Sequence, residues 1–320
     1  MKKYIMAAAM AAGLSLGSAA MSQTKPTIAV IVKDTTSFYW QTVLAGARKA
    51  GRDLGVDVVA LGAQSESDAT AQIDILEKAV ASNPAAIVIA PAQFTALGKP
   101  IDEAARKVKI IGIDSAADTK SMTSLLAADN VNAGRMAADA LAVAITKSYA
   151  DTEGDVAMIS SMPGVASLDQ RAEGFKETLA AKYRALAIVA DKVADGDAAT
   201  IGTIMKDLIA ADDDLRGVFV SDPIAASAVA KVVSEKDTHD LINIIGVGMD
   251  KNLVTLLQND QIAGIVAEDP FRMGYDGVKT ALAAAKGEQV SGHIDTGAIL
   301  VTKANLNSAQ AHELLEPKVK

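Results

Sequence analysis

Two spacings of apolar residues alternate along most of the chain. Residues 27–32 form a continuous β-branched run, the pattern of a strand buried on both faces of a parallel sheet. Over Phe38–Leu54 the spacing turns helical, with Val43, Leu44, Ala47 and Ala50 on one face. The pattern then predicts a strand at 56–61, a helix at about 67–81 carrying Ile73, Leu76 and Val80, and a strand at 86–90 closed by Pro91. A further helix runs to about Val108, with Pro100 expected only in its first turn, where a missing N–H costs little. Lys109–Ile113 is a fourth strand, ending at Asp114.

The rhythm restarts after residue 150. Strands are predicted at 155–160, 187–189, 217–220 and 243–247, with helices at 168–181, 200–211 and 224–234 between them. Beyond Asp250 follow a helix, a strand at 262–267, a helix at 273–286 and an extended stretch at 297–301. Strands alternating with helices through short connections indicate doubly wound α/β domains. The halves also rhyme. Ile110-Ile111-Gly112-Ile113-Asp114 parallels Ile244-Ile245-Gly246-Val247 running on to Asp250, and Gly46 of one early helix is echoed by Gly174 of another. The fold class is therefore two similar parallel-sheet α/β domains made by duplication. The late elements would carry the chain back between the domains. No Gly/Ser- or Pro-rich linker is present, so several short crossings form a hinge and not a flexible tether.

Composition narrows the function. The 320 residues are 50% hydrophobic, enough to bury two cores and to exclude intrinsic disorder. The absence of cysteine removes disulfides, thiolate metal sites, thiol nucleophiles and a lipid anchor on cysteine. A net charge of −8 argues against nucleic acid as a partner, and three scattered histidines argue against a metal site. At the N-terminus, Lys2-Lys3, a short apolar run and Gly17-Ser18-Ala19-Ala20 have the layout of a secretory signal over residues 1–22. The apolar run is short for a membrane anchor. Removing it takes away two lysines, makes the net charge −10 and places a soluble product in a Gram-negative periplasm.

Motifs of chemistry are missing where they would count. No Walker A sequence occurs, and Lys33-Asp34-Thr35-Thr36-Ser37 stands where a dinucleotide-binding glycine loop would follow the first strand. The one Gly-x-Ser-x-Gly match, at 13–17, lies in the signal segment. No catalytic residue, cofactor or metal is expected. Instead, polar residues recur at the carboxyl ends of strands, the edge where open α/β sheets bind ligands. Asp114, Asp222, Asp250 and Glu268 stand there, and Tyr39 and Trp40, the latter the only tryptophan, follow the first strand. A single strand-end aspartate can equally cap a helix, and a lone tryptophan can equally pack a core. Asp34, Ser37, Gln93, Ser115 and Met249 are second candidates beside them.

Several short stretches occur in a telling order: Phe38-Tyr39-Trp40 with Gly46-Ala47, Pro91, Gly112-Ile113-Asp114, Ala128-Asp129-Asn130 and Arg171-Ala172-Glu173-Gly174-Phe175. Val218-Phe219, Gly248-Met249-Asp250, and Asp269-Pro270-Phe271 with Met273-Gly274 continue it. In this order and spacing they resemble a periplasmic sugar-binding protein of the ribose-binding type, a type I periplasmic binding protein serving an ABC importer. The resemblance implies a first lobe at 23–128 plus 269–298 and a second at 129–268 plus 299–320, closing over a sugar without catalysis. It implies Tyr39 and Trp40 as aromatics flanking the sugar ring, Asp114 and Asp250 as acceptors of hydroxyl protons, and Arg171 as a donor. Met249 would replace an aromatic on the opposite face. A surface salt bridge is the other reading of Arg171, and for Asp129-Asn130 a helix cap at the hinge is preferred. The implied partners are a monosaccharide and an inner-membrane permease, with a chemoreceptor as a further option, for a monomeric receptor.

The departures point to the ligand. Asp222 and Glu268 stand where ribose-type receptors carry amides, Ser115 where a second arginine often follows, and Ala90 where an asparagine precedes the proline. Asp114, Asp222, Asp250 and Glu268 against Arg171 leave −3 in one cleft, which is costly to close around a neutral guest. An amino sugar such as galactosamine or glucosamine would bring the missing positive charge. The rival is a neutral pentose, hexose or sugar alcohol, with Glu268 or Asp222 protonated, paired with Lys33 or turned away. The ligand-sensing core of a LacI-type regulator and a sugar-processing enzyme are the readings from other classes. The first would need a helix-turn-helix where the signal stands.

Overall fold

A computed structural model describes residues 25–236, 238 and 241–315; the expected signal at 1–22 lies outside the described residues. The chain runs through β1 (Thr27–Asp34), α1 (Phe38–Leu54), β2 (Asp57–Ala63), α2 (Ala69–Ala81), β3 (Ala86–Ile89), α3 (Phe94–Ala105), β4 (Lys109–Ile113) and β5 (Ser124–Ala127). Next come α4 (Asn130–Tyr149), β6 (Gly154–Ser160), α5 (Ala166–Lys182), β7 (Leu186–Val193), α6 (Ala198–Ala211), β8 (Leu215–Val220) and α7 (Pro223–Glu235). It ends with β9 (Asn243–Val247), α8 (Lys251–Gln258), β10 (Gly264–Glu268), α9 (Pro270–Ala285), β11 (His293–Asp295), β12 (Ala298–Val301) and α10 (Ala309–Leu315).

Two six-stranded sheets result, ordered β11-β5-β4-β3-β1-β2 and β12-β10-β9-β8-β6-β7, each the base of one lobe. All pairings are parallel except β10 with β12. The apolar runs explain this. On β1, Ile28, Val30 and Val32 pack on one side of the sheet with α1 and α9, while Ala29 and Ile31 pack on the other with α2 and α3. On β6, Ala157 and Ile159 face one way and Val156 and Met158 the other. Both faces of each central strand are thus dry, and each fully buried Val or Ile stabilises the fold by about 1.5–3 kcal/mol. Among the described residues the chain crosses between sheets three times, from β5 to α4, β10 to α9 and β11 to β12.

Helices against the sheets approach closely at glycines. A Cβ on Gly46 of α1 would run into the Phe271 carbonyl of α9, and one on Gly274 of α9 into the Val43 carbonyl of α1. In the second lobe Gly134 of α4 meets the Arg171 carbonyl of α5, and Gly174 of α5 meets that of Val131.

Some expectations need correcting. Pro100 lies inside α3, past its first turn. Buried Leu97, Ile101 and Ala104 hold that helix against the sheet, so packing overrides the cost of a proline. β7 extends over eight residues, well past the predicted 187–189, because an edge strand with one wet face carries little apolar signal. β5, the alanine-rich α4, β11 and α10 escape the periodicity reading altogether. Asp129 does cap α4, accepting the Asn132 N–H at 2.9 Å.

Candidate functional site

At the facing carboxyl edges of the two sheets the lobes enclose a cavity of about 210 Å³. This is smaller than the ~300–1,000 Å³ pockets of drug-sized ligands and suits one small ring. The lobes touch around it. The Ser115 and Ser167 hydroxyls lie 2.8 Å apart, the Phe94 N–H donates to the Gly164 carbonyl at 2.7 Å, and the Lys251 ammonium sits 4.8 Å from the Phe38 ring centre.

The first lobe supplies an ion pair and two aromatics. Asp34, at the end of β1, accepts the N–H groups of Thr36 and Ser37 at 2.6 and 2.7 Å, a turn that starts α1 and brings Tyr39 and Trp40 into the wall. Those hydrogen bonds outweigh burial and hold its carboxyl below the ordinary aspartate value. The two rings meet edge to face, with centres 4.9 Å apart. Lys33 of β1 donates to Asp114 Oδ2 at 2.7 Å and to Ser115 Oγ at 3.0 Å, while the Tyr39 hydroxyl donates to Asp114 Oδ1 at 3.2 Å. Asp114 adopts a left-handed φ of 65° as the chain leaves β4, a conformation aspartate tolerates better than most side chains. Burial pushes its carboxyl up, yet the charges of Lys33 and Arg171 and the hydrogen bonds from Lys33 and Ser115 hold it below the usual value. Burial, with the Glu268 and Asp114 charges, keeps Tyr39 a neutral phenol.

The second lobe supplies a second ion pair and an aliphatic wall. Arg171 of α5 is only 3% exposed, which excludes a surface salt bridge. It donates to Glu268 Oε1 at 2.7 Å, Asn130 Oδ1 at 2.8 Å and the Ser221 carbonyl at 2.9 Å, leaving two of its five N–H groups for a ligand. Asn130 therefore does more than sit in a cap. Burial raises the Glu268 carboxyl while Arg171 pulls it down, and Glu268 and Asp114 keep the guanidinium charged against its own burial. Asp222 caps α7 through the Ala225 N–H at 3.0 Å and also accepts from the Ser161 N–H and Ser221 Oγ, both at 3.1 Å. Asp250 caps α8 through the Asn252 N–H at 2.7 Å. Met162, Val165, Leu168, Pro223 and Ile224 line the cavity from this lobe.

All seven leading candidates, Tyr39, Trp40, Asp114, Arg171, Asp222, Asp250 and Glu268, line the cavity, and both capping and lining describe the two helix-capping aspartates. Of the second group only Ser37 lines it. Asp34 and Ser115 act one bond behind the wall, and Gln93 stands before α3 with no capping bond. Met249 is corrected: its side chain is buried in the second-lobe core, so it is no counterpart to the aromatics. The loop glycine before it, Gly248 with φ of 100°, lines the cavity instead. Sequence reasoning missed Lys33, Glu66 and Ser167 as lining residues. The first two lie at or just past a strand's carboxyl end, so the edge rule itself could have found them. Lys33 is spent on Asp114, not on Glu268 or Asp222.

Two similar α/β lobes around a small, ion-paired cavity have the layout of a solute receptor. The periplasmic binding protein domain family matches residues 28–289, and the chain belongs to this family, in its type I, ribose-binding-like form. Its relatives are solute-binding proteins, not enzymes. The ribose import binding protein RbsB of Haemophilus influenzae is 28% identical over 92% of this chain and 97% of its own length. A carbohydrate transporter solute-binding protein of Agrobacterium radiobacter, in complex with D-arabinose, is 54% identical with a TM-score of 0.90, covering 92% of this chain and all of its own. An ABC transporter solute-binding protein of Agrobacterium vitis with bound D-fucose is 31% identical, TM-score 0.84, covering 90% and 99%.

Proposed function

We propose that the chain is the periplasmic sugar-binding component of an ABC importer and that it takes a neutral monosaccharide, a pentose in ring form first of all. The pairing of the buried charges supports the neutral ligand. Lys33 answers Asp114 and Arg171 answers Glu268, while Asp222 and Asp250 receive backbone N–H groups at helix N-termini, where the dipole favours negative charge. Glu66, pushed up to about 8, is mostly neutral at pH 7. The excess of acid that argued for galactosamine or glucosamine is thus reduced within the protein, two carboxylates being met by cations and two by helix N-termini. The aromatic wall suits the apolar face of a sugar ring, and the D-arabinose complex of the 54%-identical relative is in keeping with it.

The ring would lie between the Tyr39–Trp40 wall and the aliphatic wall, its hydroxyls reaching the free N–H groups of Arg171 and the outer lone pairs of the carboxylates. Contact with both lobes at once is what would favour the closed form over the open one. The lobes so defined are 23–128 plus 269–298 and 129–268 plus 299–320. The same reading includes export by the signal at 1–22, a monomeric receptor and an inner-membrane permease reading the closed form. Calorimetric titration with D-arabinose, ribose, D-fucose, galactosamine and glucosamine tests the ligand. Binding of a neutral sugar with no response to the amines is expected. Tight binding of an amine alone would overturn the neutral reading in favour of the amino sugar.

A further inference from the structure

The polar groups deep in the cavity have spent most of their hydrogen bonds on one another, so unspent capacity marks where a ligand hydroxyl is still needed. Besides the two free N–H groups of Arg171, such capacity lies on the first lobe. The Trp40 residue is 2% exposed and its indole Nε1 makes no closed hydrogen bond, although the Glu66 carboxyl is its near neighbour. The Ser37 hydroxyl, beside the Asp34 carboxylate, is likewise buried without a closed bond. Ser37, Trp40 and Glu66 all line the cavity, the first two from the start of α1 and Glu66 from the loop between β2 and α2. A buried indole N–H is a donor only, and it is costly to leave unmet.

We infer that Glu66 is a ligand-contacting, specificity-determining residue, which with the Trp40 N–H forms a subsite for one sugar hydroxyl. The hydroxyl accepts from the indole N–H and from the Glu66 acid O–H. The groups facing Glu66 favour this form. Burial holds the acid neutral, Asp34 and Asp114 push the same way, and the Lys33 ammonium and the indole N–H oppose them. At higher pH the acid loses its proton, the subsite loses a donor, and a carboxylate is enclosed beside two others.

The inference rests on the sugar-binding reading above, and the test separates the two. D-arabinose affinity is measured from pH 6 to 9.5 by calorimetry and by fluorescence of Trp40, the only tryptophan. Wild-type affinity should be flat below pH 7 and weaken above pH 8, approaching about tenfold per pH unit. Glu66→Gln, which keeps a neutral donor, should bind within about threefold of wild type at pH 7 and show no alkaline loss. Glu66→Ala should bind about tenfold more weakly at pH 7. Wild-type binding with a flat profile, or with Glu66→Ala unchanged, overturns this inference alone. Failure of the wild type to bind D-arabinose or any other sugar of the panel overturns the sugar reading and this subsite with it.

Discussion

In the first lobe the strand-edge ion pair joins β1 to β4, Lys33 to Asp114; in the second it joins α5 to β10, Arg171 to Glu268. The scaffolds under these pairs match closely. Strand order is the same in both sheets, and each lobe seats the helix after its first strand on a helix that arrives from across the hinge, α1 on α9 and α5 on α4, with glycines at both contacts. The equipment differs. The first lobe carries the aromatics and keeps its aspartate in a web of Lys33, Ser115 and Tyr39, whereas the second carries an aliphatic wall and hangs its charge on one guanidinium. The two lobes share what packing demands and differ at the strand edges, because a side chain pointing into a cleft constrains few neighbours in the core.

The largest expected effect tests how differently the two ion pairs are supported. Arg171→Met leaves Glu268 buried without its hydrogen-bonded cation and should cost about 3–5 kcal/mol of stability, along with most sugar affinity. Lys33→Met should cost clearly less, since Asp114 keeps the hydrogen bonds of Tyr39 and Ser115 and the field of Arg171. Urea unfolding of both variants measures the gap, and equal losses would contradict the contrast.

The second test concerns the shared scaffold. Gly46→Ala and Gly174→Ala each force a methyl against a backbone carbonyl of the partner helix and should cost about 1–3 kcal/mol apiece. A large loss in one lobe and none in the other, read from melting temperatures, would show that the two contacts are not equivalent.

The smallest effect is in acid. Asp114 is held below its unfolded value of 3.8, so the unfolded chain binds the proton more readily than the native one. Its contribution is present above that value and fades as pH falls through the lower folded value. Asp114→Asn should therefore flatten the acid limb of a stability–pH profile below about pH 4. An unchanged limb in Asp114→Asn would deny Asp114 its role.

Long apolar runs made the central strands and most helices legible, because a strand dry on both faces cannot hide its β-branched residues. Weak or short patterns did not carry: α4 is a run of alanines, β5 and β11 span four and three residues, and β7 has a wet face. The strand-edge residues were legible as a group for a topological reason, and all seven leading candidates reached the cavity. Their partners were not. Nothing in Lys33 or Glu66 as letters tells which carboxylate the first will hold or that the second will lie beside an unmatched indole.

The sequence by itself determined two similar parallel α/β units and the edge on which polar residues gather, since periodicity and order along the chain are local properties. Only the tertiary structure decided that Lys33 pairs with Asp114 and Arg171 with Glu268, that Met249 belongs to the core, and that Arg171 and Asn130 act together. Those outcomes depend on which side chains meet across lobes and sheets. Such distances arise once the chain has closed, and no spacing along it records them.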